Sequence, residues 1–166
     1  MNDQEKKAVA QRLSARVSTG LMFIEFICLE NIPRPDPAYI RNIYLLLSFY
    51  TELLLKGIYV MHGQFIDKEQ LEESLKKLGH DFAKMGEHIA SQTLQAFGVK
   101  EIQYLGPDYL IRTDVGDFRV EDFTDIRYDF IEGKVRSIPA SEHEMFKQQI
   151  TIMNDINKKL KQLAWA

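Results

Sequence analysis

From Tyr39 to His62 the chain is apolar around nearly the whole girth of a helix. Ile43, Leu47, Tyr50, Leu54, Ile58 and Met61 recur at helical spacing, and Leu45, Leu46, Phe49, Leu53 and Leu55 widen the stripe. Such a helix must be central in a bundle or lie at a subunit interface, because no broad side of it suits water. Ser48, Thr51, Glu52 and Lys56 interrupt the run. A membrane span needs about 20 mostly apolar residues with few or no charges. The stretch therefore reads as the buried helix of a soluble protein, with no membrane partner. Asp36 followed by Pro37 supplies an N-cap and a favoured first helical residue, and Gly63 a stop.

Three further segments keep helical phase. The first runs from Gln4 to Glu30, with Val9, Leu13, Val17, Leu21, Ile24 and Cys28 on one face and Gly20 inside it. Ile32-Pro33-Arg34-Pro35 breaks it, since proline lacks the amide proton and disfavours helix in the residue before. The next opens at Asp67-Lys68-Glu69-Gln70, which resembles a capping box. Its stripe of Leu71, Leu75, Leu78, Phe82, Met85 and Ile89 passes Gly79-His80 without losing phase. Residues 67–97 are therefore either one helix tolerating a glycine or two helices meeting there. The last helix opens at Ser141-Glu142-His143-Glu144 and carries Phe146, Ile150, Met153, Ile156, Leu160 and Leu163. Lys158, Lys159 and Lys161 fall near its end, where cations complement the helix dipole.

Between Gly98 and Pro139 the period changes to that of strands. Ile102–Leu105, Tyr109–Thr113 and Phe118–Glu121 are separated by Gly106-Pro107-Asp108 and by Asp114-Val115-Gly116-Asp117. The expected fold is mostly α. It is an antiparallel four- to five-helix bundle, a single domain over 1–166, with a small β-meander over 100–122 inserted before the last helix. Two or three strands alone are marginal, so the meander should lean on the bundle or on a partner. Residues 108–132 hold eight acids against three arginines, a net of −5. The whole chain stands at −3, so the remainder carries +2. That balance excludes a generic basic coat for nucleic acid. Tyr104, Tyr109, Phe118, Phe123 and Trp165 should therefore cover the side of the bundle rather than stack on bases.

One cysteine in 166 residues excludes an internal disulfide and a cysteine-cluster zinc site. Cys28 sits in an apolar stripe and reads as core. The polar N-terminal segment is unlike a secretory signal, so the cytoplasm is the expected compartment. No His has Glu three residues before it, which removes the ferritin-like dimetal pattern. No phosphate-binding loop, dinucleotide glycine fingerprint or nucleophile elbow is present. No metal and no cofactor are expected. Glu52 and Lys56, four apart in the favourable order, read either as an exposed pair or as a partly buried pair across a dimer. His80 reads as packing near a helix junction, with Asp81 capping a helix that starts after Gly79. Both His80 and Asp81 are also candidates for binding a ligand or partner.

Phe49-Tyr50-Thr51-Glu52-Leu53-Leu54-Leu55-Lys56 followed by Leu78-Gly79-His80-Asp81-Phe82-Ala83-Lys84-Met85 resembles the HEPN superfamily. In that family a helix with an E-x-x-x-K pattern precedes a "GHDL"-like helix start. Ile126-Arg127-Tyr128 is similar to an "RY" element in several members. The resemblance covers residues 36–97 and, loosely, 126–163. It implies small helical bundles that pair into homodimers in toxin–antitoxin, defence and nucleotidyltransferase-associated systems. It also implies candidate binding residues Glu52, Lys56, His80, Asp81, Arg127 and Tyr128. Catalytic members are metal-independent endoribonucleases marked by Arg, four to six residues, then His. Arg136 and His143 have that spacing, but Ser137 follows the Arg and Pro139 interrupts the segment. The expected function is a non-catalytic dimeric module binding a partner protein, such as a nucleotidyltransferase, or a nucleotide. The alternative is an endoribonuclease acting on RNA through Arg136 and His143.

Overall fold

We describe the protein from a computed structural model, for residues 1–29, 37–106, 108–121 and 142–166. The chain runs α1 (Asp3–Leu29), α2 (Pro37–His62), α3 (Lys68–Leu78), α4 (Phe82–His88) and α5 (Ser91–Ala96). It continues as β1 (Val99–Leu105), β2 (Asp108–Thr113), β3 (Asp117–Glu121) and α6 (Glu142–Trp165). The described residues thus hold six helices, mostly α, with a three-stranded antiparallel meander before the last helix.

The long helices α1, α2 and α6 pack on one another, and α4, α5 and β3 close the remaining sides of α2. Most of the apolar girth of α2 is therefore covered within one chain. Leu47, Leu54 and Ile58 from α2 are buried with Val17, Leu21 and Ile24 from α1 and Met153 and Leu160 from α6. Each such side chain contributes about 1.5–3 kcal/mol when fully removed from water. By length and composition Arg41–His62 is long and apolar enough to cross a membrane, and 67% of that window is buried inside the protein.

The three long helices approach closely, and small residues mark the contacts. A Cβ added at Gly20 would fall inside the Tyr50 ring, and one at Gly57 would lie 2.6 Å from Leu160. Gly20, an anomaly in a helical pattern, is explained by this approach. The α1–α6 seam also holds a buried polar knot. Ser14 donates to Asn157 Oδ1 at 2.7 Å, and Asn157 Nδ2 donates to the Ser14 carbonyl at 3.2 Å and to Ser18 Oγ at 2.8 Å. Buried amides and hydroxyls are tolerated when paired in this way.

The segment 67–97 breaks at Gly79, and again at Ile89-Ala90. Asp67 caps α3 by accepting from the Gln70 amide at 2.8 Å. Gly79, at φ +60, ends that helix. Asp81 restarts the chain as α4 by accepting from the Lys84 amide at 2.9 Å. A stripe that keeps phase across a break cannot distinguish a bent helix from two capped ones, and here the caps decided it.

The meander has order β1-β2-β3. Ile102 pairs with Ile111, and Ile111 with Phe118. Tyr109, Ile111, Phe118 and Val120 are buried against the helices, while Tyr104, at 53% exposure, stands outside. Trp165, at 55%, is likewise in water rather than over the bundle. Gln149 of α6 donates to the Arg119 carbonyl at 3.0 Å and pins the sheet to that helix. The helix α6 continues to Trp165, so Lys158, Lys159 and Lys161 precede its final turn instead of occupying it.

Two outcomes test this packing. Gly20→Ala would gain about 1 kcal/mol from helix propensity alone. The Tyr50 ring converts that into a net loss of about 1–3 kcal/mol from overpacking, readable by urea unfolding. At the seam between α1 and the end of α2, His62 has its pKa lowered from 6.5, first by burial and then by the Lys6 charge. Protonation of His62 therefore favours the unfolded chain. Its contribution to stability is complete above pH 6.5 and is lost as pH falls through the lowered value. Lys6→Met should raise the NMR titration midpoint of His62 toward 6.5 without restoring it fully, because burial is the larger cause.

Candidate functional site

The most apolar helix carries a charge at its centre. Glu52 is 4% exposed, and burying a lone carboxylate is prohibitive unless it is paired and hydrogen-bonded. Lys56, one turn later on α2, donates to Glu52 Oε1 at 2.6 Å. His80 Nδ1 lies 2.7 Å from Glu52 Oε2. Each carboxylate oxygen is thus engaged by a different residue. The pair Glu52–Lys56, read from sequence as exposed or as shared across a dimer, is buried inside one chain. The reason is that α4 packs on α2 and the α3–α4 break lays His80 against this face.

His80 reaches Glu52 from the break between α3 and α4. Gly79, at φ +60, takes a conformation that L side chains rarely adopt and carries the chain from α3 into α4. His80 follows directly, with 45% of its side chain in water. Asp81, next in line, caps α4 and accepts from the Tyr109 hydroxyl at 3.3 Å. Tyr109 in turn meets Phe82 edge-on at 5.0 Å and Tyr104 at 5.1 Å between ring centres. The cluster therefore sits where α2, the α3–α4 break and the start of β2 converge.

The arrangement holds an imidazole by a carboxylate on Nδ1. That contact sets the ring orientation. A histidine held this way suits recognition by a directed hydrogen bond, and it also suits proton transfer when a reacting group is brought to it. The fixed charges of Glu52, Lys56 and Asp81 sum to one negative. Among the described residues no group of three His, Cys, Asp or Glu is close enough to hold a metal.

Four sequence-derived candidates, Glu52, Lys56, His80 and Asp81, are therefore brought together. Arg127, Tyr128 and Arg136 lie outside the described residues, as does Phe123. His143 stands in the first turn of α6, with its side chain outside the described set, and so is the side chain of Cys28. Tyr109 was anticipated only as a covering aromatic. Its bond to Asp81 has no signature in the sequence, because the partners are 28 positions apart.

Glu52→Ala should cost about 3 kcal/mol, since it strands Lys56 in a largely buried setting. His80→Ala should cost about 1 kcal/mol, the ordinary worth of one hydrogen bond. The double variant, followed by urea unfolding, should fall short of the sum. Strict additivity would mean that the His80–Glu52 contact contributes nothing.

No protein-family model, no curated protein and no solved structure matches this chain.

Proposed function

We propose that the chain is a non-catalytic, HEPN-like helical module, acting as a cytoplasmic homodimer, that recognises a partner protein through the face carrying His80 and Asp81. The observation that carries this reading is that the Glu52–Lys56 pair of α2 holds the half-exposed His80 imidazole through Glu52, beside Asp81 at the α3–α4 break. The cluster commits one oxygen of a buried carboxylate to orienting that ring and the other to Lys56, more than a bland surface residue requires. A protein is favoured over a nucleotide as partner because the local charge is negative and would repel phosphates. A nucleotidyltransferase is the partner type that the resemblance implies. The homodimer is supported by the outer face of α1, where Met22, Phe23 and Phe26 are 69%, 55% and 59% exposed. Contiguous apolar surface of that kind marks an interaction site.

The competing reading is an endoribonuclease using Arg136 and His143. One observation favours it: α6 opens at Glu142, so His143 occupies the first turn of a 24-residue helix. Free amides and the positive dipole end there suit a phosphate.

Co-expression with the product of the adjacent gene separates the two. A complex that survives size exclusion, weakens at least tenfold with His80→Ala, and contains two copies of this 19.3 kDa chain by light scattering is expected. No complex, or one indifferent to His80→Ala, defeats the proposal. Cleavage of labelled RNA in EDTA that is abolished by His143→Ala establishes the competing reading instead.

A further inference from the structure

Away from the His80 face, the α5–β1 junction, the β2–β3 turn and α6 line a half-open cavity of about 290 Å³. That is the lower edge of the roughly 300–1,000 Å³ typical of small-molecule sites. It is too small for a nucleotide and large enough for a molecule of about ten non-hydrogen atoms. Its apolar lining is Phe97, Ile152 and Ile156, which are buried core residues, with the exposed Val115 at the rim. Its charged lining comes from Asp114 and Lys159, with Asp155 and Lys158 adding one further charge of each sign. The opening is therefore neutral overall, and a dianion gains little from it.

Gly98 forms part of the wall and has φ +82. A Cβ there would lie 3.1 Å from Lys159 Nζ and 3.2 Å from Asp114 Oδ2. The cation and the carboxylate thus both close on Gly98 and stand near each other at the pocket wall, where a side chain in place of the glycine would be crowded. Lys159 Nζ has no hydrogen-bond or ion-pair partner among the described residues. Asp114 uses its other oxygen, Oδ1, for a 3.5 Å contact with Lys100, which leaves Oδ2 on the Gly98 side. The backbone holds this geometry. The Asp114 amide donates to the Gly98 carbonyl at 2.9 Å, and Thr113 Oγ1 donates to the Gly116 carbonyl at 2.5 Å.

From this geometry we infer that the cavity is a binding site for a free α-amino acid with an apolar side chain. Two opposite charges that stand near each other at the pocket wall call for a ligand bearing its own two charges on neighbouring atoms. An α-ammonium and an α-carboxylate, separated by a single carbon, meet that requirement. The ammonium faces Asp114 Oδ2, the carboxylate faces Lys159 Nζ, and the side chain lies on Phe97, Ile152 and Ile156. This inference is independent of the partner-binding role proposed above.

The test is a titration of the intact protein with L-leucine and L-phenylalanine, followed by amide NMR shifts. The comparison ligands are 4-methylpentanoate, which lacks the ammonium, and 3-methylbutylamine, which lacks the carboxylate. Saturable shifts centred on Gly98 and Val115 are expected with at least one of the amino acids. Each comparison ligand should bind at least about tenfold more weakly, as should the amino acid to Asp114→Asn and to Lys159→Met. Both substitutions change exposed or half-exposed side chains, and unchanged thermal unfolding verifies that they leave the fold intact. Absence of saturable shifts up to about 10 mM overturns the site. Equal binding of 4-methylpentanoate overturns the zwitterion in favour of a simple carboxylate.

Discussion

A helix that is apolar around its whole girth has to be surrounded, and most of this architecture is the means of surrounding α2. α1 and α6 cover two sides, and the short helices and β3 cover most of the rest. The burial of Leu47, Leu54 and Ile58 contributes several kcal/mol in hydrophobic free energy. Close approach is purchased with glycine at the two points where the helices nearly touch, Gly20 beneath Tyr50 and Gly57 beneath Leu160. An alanine at either place would push the layers apart.

Glu52 is the exception on that helix, and its demands shape what is built over it. A carboxylate cannot stay charged in such surroundings without donors on both oxygens. Lys56 satisfies one from within the helix, at the favourable spacing. The other is met only because the chain breaks at Gly79 and returns His80 to the same spot. One buried charge thus ties the conformation of a distant glycine to the orientation of an imidazole at the surface. Replacing the group by a hydrocarbon of similar volume would relieve the desolvation cost. Its presence in the core is therefore better accounted for by what it holds than by stability.

Local periodicity made the elements legible. The second strand, Asp108–Thr113, and the start of the last helix at Glu142 lie within a residue of what alternation and capping residues suggest, and the caps at Asp67 and Asp81 follow from the same signals, whereas β1 begins at Val99, three residues before the expected Ile102. The two-helix reading of 67–97 was open because hydrophobic phase survives a capped break. Pairing across the fold was not legible. Glu52 and His80 could be singled out by residue type, yet nothing in a separation of 28 positions says that they touch. The exposure of Tyr104 and Trp165 escaped for a related reason, since an aromatic at a strand or helix end has no periodic neighbour to fix its side. The cavity escaped altogether. It depends on the left-handed conformation of Gly98 and on which way Lys159 extends, and neither is written in spacing.

The two candidate sites share a physical setting. Tyr109 near the start of β2 carries the contact to Asp81, and Asp114 just past its end faces the cavity. β2 is the central strand, paired on both sides, so it is the most rigid part of the sheet. Three strands are marginal alone, and here they hold their place by docking on helices through Gln149 and through the buried face of Tyr109, Ile111, Phe118 and Val120. An occupant at either end therefore adds contacts across the same seam between sheet and helices. Binding at either end would tighten the docking of the sheet, a seam that is less extensively packed than the α1–α2–α6 core.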